Sequence, residues 1–257
     1  MNCSFSATWI FGALLFSVTQ LMSANVIQFQ SEVAATPLLE LYTSEGCSSC
    51  PPAEAWLSRL KESPKLWKDF VPVAFHVDYW DYLGWKDPFA SGTFSERQQD
   101  YSSRWRSQSV YTPGFVFDGK EWRGWYNRDG LPRPARTPVG VLTAGSKDGK
   151  QWVIRFQPTA DIASSSCDFH AALLGFDLKS DVKTGENRGR TLEHDFVVLA
   201  LANAASIKNG DSFQSELALK SKLTAAPKRL AVAAWVTSSR SLQPLQAIGG
   251  WLASTNH

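Results

Sequence analysis

Between residues 37 and 44 the chain reads PLLELYTS, an almost unbroken apolar run of strand length. The amphipathic stretch AEAWLSRLKES at 53–63 brings Ala53, Trp56, Leu57 and Leu60 to one helical face. A second strand is expected at VPVAFHVDY, 71–79, before the aromatic-rich DYWDYLGWKDPF. Thr93-Phe94-Ser95-Glu96 has capping-box spacing, and helix-compatible polar residues continue from it to about Ser107. VYTPGFVFDG then sets Thr-Pro before a short strand, whose Asp-Gly turn leads into EWRGW as a hairpin.

After Trp125 the texture changes. YNRDGLPRPARTP at 126–138 is rich in Pro, Arg and Gly and reads as a linker. Beyond it come VGVLTA, WVIRF, FHAALLGFDL, FVVLALANA, SFQSELAL and RLAVAAWVT, six strand-like runs separated by Gly, Asn, Lys and Ser clusters. Such spacing predicts an antiparallel sandwich or barrel. The expected organisation is an α/β unit over 25–125, the linker, and an all-β, sandwich-like unit over 139–257.

The first 31 residues contain no Asp, Glu, Lys or Arg, and ATWIFGALLFSV within them is strongly apolar. This predicts a signal peptide over 1–24, cleaved after Ala24, and a secreted or periplasmic protein. The alternative is an uncleaved anchor. Thr8, Ser17, Thr19 and Gln20 interrupt the apolar stretch, which falls short of the roughly 20 residues needed to span a bilayer, so no stable membrane span is expected after cleavage. With 44% hydrophobic and 19% charged positions the chain is an ordinary globular one, and 26 basic against 24 acidic residues give no electrostatic footprint for nucleic acid.

Export changes how the cysteines read. Cys3 leaves with the leader, and disulfides persist outside the cytosol. Cys47 and Cys50 stand two residues apart in TSEGCSSCPPAE, between the first strand and the first helix. A thiolate at a helix N-terminus is favoured by free backbone N–H groups, and two intervening residues let the second sulfur displace a bound partner. Cys47 is then the exposed nucleophile and Cys50 the resolving thiol, with Pro113 of the Thr-Pro bend, cis if it shapes the site, placing the Thr112 backbone beside the sulfurs. Cys50 precedes Pro51, which pushes it out of the regular helix or into a distorted first turn. Cys167 reads as a small buried hydrophobe.

PLLELYTSEGCSSCPPAE, FHVDYWDYLGWKDPF, VYTPGFVFDG, GENRGRTLEHDFVV and LQPLQAIGGWL together resemble a secreted family described as a domain of unknown function. The resemblance implies a thioredoxin-like N-terminal half and a redox pair at Cys47 and Cys50. Gly46, Ser48 and Ser49 depart from the Trp and Gly-Pro usual in thioredoxins, so a redox potential does not transfer. The expected activity is thiol-disulfide exchange, with exported protein thiols or disulfides or a redox partner protein as partners and no cofactor. The competing readings are a binding module with an inert disulfide and a copper- or zinc-delivery protein in which His76, Asp78 or Asp81 joins the thiolates.

Other residues carry weaker signals. Glu40 lies seven residues before Cys47, where a buried carboxylate could take the Cys50 proton, or a solvated strand-edge glutamate could stand. Tyr79, Trp80, Tyr82, Trp85 and Phe89 read as core beneath a long loop or as one wall of a groove. Arg97, Tyr101 and Arg104 share a helix face expected to be solvated. GENRGR reads as a loop without the residues of a phosphate-binding P-loop.

Overall fold

The computed structural model describes residues 26–107, 109–127, 130–160, 166–221, 227 and 229–253, so the expected leader at 1–24 lies outside the described residues. Seven elements precede the proline-rich segment: β1 (Ile27–Gln30), β2 (Leu38–Thr43), α1 (Pro51–Ser58), β3 (Val71–His76), α2 (Gly92–Arg104), β4 (Gly114–Phe117) and β5 (Lys120–Glu121). Eight strands follow: β6 (Gly140–Ser146), β7 (Gln151–Pro158), β8 (Cys167–Phe176), β9 (Leu178–Asp181), β10 (Thr191–His194), β11 (Val197–Ala205), β12 (Ile207–Asn209) and β13 (Ser212–Ala218). The last two are β14 (Arg229–Ser238) and β15 (Pro244–Trp251).

The local chemistry accounts for the first elements. Pro51 and Pro52 open α1, where a fixed φ and a missing N–H cost nothing. Cys50 is the N-cap, just outside the regular helix as expected, but the following proline leaves it with helical angles, φ −76° and ψ −39°. α1 is shorter than the amphipathic stretch and tightens into a 3-10 turn at Arg59–Glu62. α2 begins earlier than the capping box predicts. Ser91 in extended conformation precedes it without a side-chain cap, which places Thr93 inside the helix, and Ser95 turns its hydroxyl to Asp78. Asp118 and Gly119, both with positive φ, make the expected hairpin turn between β4 and β5.

The α/β thioredoxin-like class expected for the N-terminal half is overturned. Among the described residues two α-helices stand against fifteen strands, and the protein is mostly β. The edge of β3 left free by β2 takes up β11 in parallel, Val197 opposite Ala74, so both sides of the 126–138 segment feed one sheet. That sheet has eight strands in the order β15-β14-β8-β11-β3-β2-β4-β5. What the N-terminal pattern could not disclose is this lateral pairing, because strand edges carry backbone donors and acceptors rather than a side-chain signature.

A five-stranded sheet, β1-β6-β7-β13-β12, covers one face of the larger sheet. Its alternating inward residues Leu142, Trp152, Ile154, Phe156 and Phe213 pack against Phe169, Ala171, Val232 and Ile248. Toward the other end, α1 and α2 flank β2 on opposite faces. Thr43 reaches Glu54 of α1, whereas Glu40 and Tyr42 face Arg97 and Tyr101 of α2. With both faces covered, β2 is buried throughout, which explains its unbroken apolar run. β9 and β10 form a separate hairpin that lays β10 beside α1.

Candidate functional site

β2 and β3 run parallel and end together, Thr43 opposite His76. The chain leaving β2 turns through Ser44, Glu45 and Gly46 into Cys47, whose N–H donates to the Ser44 carbonyl at 3.2 Å. The Cys50 carbonyl accepts from the N–H groups of Ala53 and Glu54, which starts α1. Cys47 and Cys50 are joined in a disulfide with their Cα atoms 5.5 Å apart. Thr112-Pro113 is cis, and the pairing of Tyr42 with Gly114 brings this bend alongside the exit of β2.

Cys47, expected to be exposed, has 0% of its surface accessible, as has Cys50; only Ser48 and Ser49 between them face solvent. Two structures make the cover. Trp80 lies against Gly46, where a Cβ would come 2.8 Å from the Trp80 Cβ, and its indole N–H donates to the Thr112 hydroxyl at 2.7 Å. The loop between β9 and β10 reaches over from the far side of the chain. Gly185 and Gly189 take positive φ, 78° and 80°, and between them Asn187 donates its amide to the carbonyls of Glu45 and Cys47, each at 2.9 Å. Arg190 orients that amide by donating to its oxygen at 2.7 Å, and the Ser48 N–H donates to the Glu186 carboxylate at 2.9 Å. Finally, Thr184 donates to the Gly84 carbonyl at 2.6 Å, fastening this loop to the aromatic segment.

Beneath the cover lies a buried ionisable cluster. Glu54, in the first turn of α1, accepts from the Thr43 hydroxyl at 2.5 Å and pairs with His194 Nδ1. His194 Nε2 lies 3.0 Å from the Glu45 carboxylate, whose other oxygen accepts from the Trp85 indole at 2.6 Å. His76 Nδ1 pairs with Asp87 at 2.8 Å, and Asp87 also accepts from the N–H groups of Glu45 and Phe89. The imidazoles of His76 and His194 stand 5.2 Å apart edge to face, with Phe89 against both. Burial alone lowers a histidine pKa, but Glu54 and Glu45 outweigh it and push His194 up to about 10. In the same way Asp87 outweighs burial to raise His76, while burial's pull upward on Glu54 and Asp87 loses to the histidines and both are lowered. One ligand atom from each of Glu54, His76 and His194 falls within 4.8 Å of the others, a spacing open to a metal ion.

Not every residue nominated by the sequence joins this site. Glu40 faces the opposite side of the sheet, where it accepts from Arg97 at 2.7 Å, Tyr101 at 2.6 Å and Tyr42 at 3.0 Å, and so cannot relay the Cys50 proton. It is no strand-edge glutamate either, and Arg97 and Tyr101 are buried with it instead of solvated. His76 enters the site through His194 and Glu54 rather than through the thiolates. Asp78 and Asp81 turn elsewhere, Asp78 to Ser95 and Asp81 to the Asp87 N–H. Trp80 and Trp85 help build the site, while Tyr82 is exposed. Cys167 is buried, as its surroundings predict. Glu45, Glu54, Asp87, Asn187 and His194 were missed. Glu54 was within reach, since four residues after Cys50 on a helix is the same face; Asn187 and His194 arrive through tertiary folding alone.

Two solved structures share the fold. A protein from Agrobacterium tumefaciens, solved by a structural-genomics consortium, is 24% identical with a TM-score of 0.58, over 88% of this chain and 98% of that one. HBP35 of Porphyromonas gingivalis is 15% identical with a TM-score of 0.56, over 86% of this chain and 76% of that one. No curated protein matches the chain. A family described as "Protein of unknown function (DUF1223)" matches residues 38–237, and the chain belongs to that family.

Proposed function

We propose that this chain is an exported thiol-disulfide oxidoreductase whose Cys47–Cys50 pair exchanges with the thiols or disulfides of exported proteins once its cover opens. The observation that carries the reading is the pair's placement: a disulfide closing a ring of only four residues at the N-terminus of α1. As a staple such a ring contributes little, about 2 kcal/mol by chain entropy, because stabilisation grows with the length of loop closed. As a reactive pair it is well placed, since the dipole of α1 favours a thiolate released at its N-terminal end.

The exchange conserves atoms and electrons. With the pair reduced, the Cys47 thiolate attacks a substrate disulfide, forming a mixed disulfide and expelling one substrate thiolate, which takes up a proton. The Cys50 thiolate then attacks the Cys47 sulfur, re-forming the Cys47–Cys50 bond and releasing the second substrate thiolate. Two electrons pass to the substrate; the reverse sequence oxidises a substrate dithiol. Access requires the Glu186–Asn187 loop to lift, at a cost of three hydrogen bonds, about 3 kcal/mol net. That leaves roughly one molecule in a hundred open at a time.

Complete burial of both sulfurs favours one competing reading, a binding module with an inert disulfide. A Cys50→Ala variant separates the two. The oxidoreductase retains a substrate on Cys47 as a mixed disulfide, identified by mass spectrometry after non-reducing electrophoresis of an extract from the exporting cell. If no adduct forms and wild-type protein neither reduces nor oxidises model disulfides, the pair is inert.

A further inference from the structure

We propose that Glu54, His76 and His194 form a binding site for a divalent transition-metal ion of the zinc class, with the cysteines outside its coordination sphere. Three observations carry it. First, the donor set is of the right chemistry and already converged: two imidazoles and one carboxylate, from α1, the end of β3 and the end of β10, present ligand atoms within 4.8 Å of one another. Tetrahedral coordination at 2.0–2.2 Å puts ligand atoms about 3.4 Å apart, so closure asks for shifts of about 1 Å.

Second, His76 is left with a bonding capacity that nothing in the apoprotein uses. Its ring is 1% exposed, Nδ1 is held by Asp87, and Nε2 has no hydrogen-bond partner. A buried polar nitrogen without a partner is costly, and with Nδ1 taken by Asp87 it is the nitrogen His76 has left to offer a ligand. The carboxylate on the far nitrogen is the arrangement that fixes a metal-binding imidazole in its tautomer. His194 repeats it, with Glu54 at Nδ1 and Glu45 beyond Nε2, so that an ion seated between His194 Nδ1 and Glu54 leaves Glu45 in the role Asp87 plays for His76.

Third, a cavity reaches one of the three ligands, Glu54. A cavity of about 370 Å³ lined by Pro51, Glu54, Ala55, Arg190, Leu192 and Asp195 opens beside Glu54. Three protein ligands leave a fourth position for water or a small ligand, the pattern of metal sites that do chemistry rather than of closed structural ones. Three buried carboxylates, Glu45, Glu54 and Asp87, supply the negative surroundings that a divalent ion needs.

The site stands apart from the redox reading and is tested with the disulfide intact. Zinc chloride is titrated calorimetrically into chelator-stripped, fully oxidised protein, in which neither Cys47 nor Cys50 can act as a thiolate ligand. One ion per chain is expected at micromolar affinity or better, with His76→Gln weakening it at least 100-fold and Asp87→Asn ten- to 100-fold. Should a variant not fold, NMR of the wild type serves instead, with the His76 and His194 ring resonances moving on zinc addition. Wild-type binding weaker than millimolar, wild-type affinity in folded His76→Gln, or unmoved His76 and His194 resonances in zinc-loaded protein would each overturn the proposal.

Discussion

The side-chain amide of Asn187 holds the backbone carbonyl of Cys47 at 2.9 Å, bridging 140 residues of sequence. The loop that carries it comes from the β9–β10 hairpin, so the disulfide's exposure is governed by a part of the chain remote from it in sequence. Asn187→Ala removes both amide contacts and leaves the Glu45 and Cys47 carbonyls without that donor. The expected result is a loss of about 2–3 kcal/mol in stability and reduction of Cys47–Cys50 by dithiothreitol at least tenfold faster. Glu186→Ala, which removes a single exposed contact to the Ser48 N–H, is expected to change stability by less than about 1 kcal/mol. Urea melts and thiol-labelling kinetics read the two effects separately. Equal reduction rates in wild type and Asn187→Ala would show that the loop is no barrier.

Gly46 tests the other half of the cover. Its φ lies outside the left-handed region, so its requirement is one of space: a Cβ would meet the Trp80 Cβ at 2.8 Å and the Trp80 carbonyl at 3.3 Å. Neither contact is with the far end of a flexible side chain, and Trp80 has to move. Gly46→Ala is expected to cost about 1–3 kcal/mol as an overpacking change. It should also break the Trp80–Thr112 hydrogen bond and speed disulfide reduction. A crystal structure of the variant with Trp80 unmoved would refute this.

The legibility of this protein divides along local and non-local lines. The Leu38–Thr43 strand, the Asp118-Gly119 hairpin and the six strand runs of the second half were all visible, because burial on one or two faces writes a period into the sequence. The CxxC pair was visible from spacing, and the Thr112-Pro113 bend stood out by position, although only the structure shows its bond to be cis. The fold class was not, because it turned on β11 joining β3, a backbone pairing. The candidate site was half legible. His76 stood out as a residue, but its meaning depends on His194, 118 positions later, carried in by a hairpin whose own strands are four residues each. Glu40 misled in the opposite direction: a carboxylate at nearly the expected spacing points to the other face of β2, since strand residues alternate.

That correction yields a prediction. Glu40 is fully buried and satisfied by Arg97, Tyr42 and Tyr101, with the Arg97 guanidinium also stacked 5.4 Å over the Trp235 ring. Arg97→Met strands the Glu40 charge and is expected to cost about 3–5 kcal/mol. Glu40→Gln with Arg97→Met, removing both charges, should recover part of that loss. The pair lies across the sheet from Cys50, so Glu40→Gln is expected to leave the reduction potential of Cys47–Cys50 unchanged. A potential shift in folded Glu40→Gln would reinstate Glu40 as a proton partner.

A pH prediction follows from His170. Its ring stacks on Trp235 at 5.2 Å, with Nδ1 against the Asn203 amide oxygen at 2.7 Å and Nε2 against the Thr237 hydroxyl at 3.2 Å. Burial, aided by the charge of Arg97, outweighs the Asn203 hydrogen bond and the Asp168 charge and lowers its pKa to about 4. In the unfolded chain the ring titrates near 6.5. Between those values the unfolded state binds a proton that the folded state does not, so stability rises with pH across the window. The contribution is whole above about pH 6.5 and is lost as pH falls toward 4. Between pH 8 and pH 5 the loss attributable to this half-buried ring is about 1–2 kcal/mol, allowing for solvent screening. Urea melts of wild type and His170→Gln at both pH values isolate it, because the carboxylates and other histidines titrate alike in the two proteins. The variant should lose less stability over that interval than wild type, and parallel losses would mean that His170 is protonated as easily folded as unfolded.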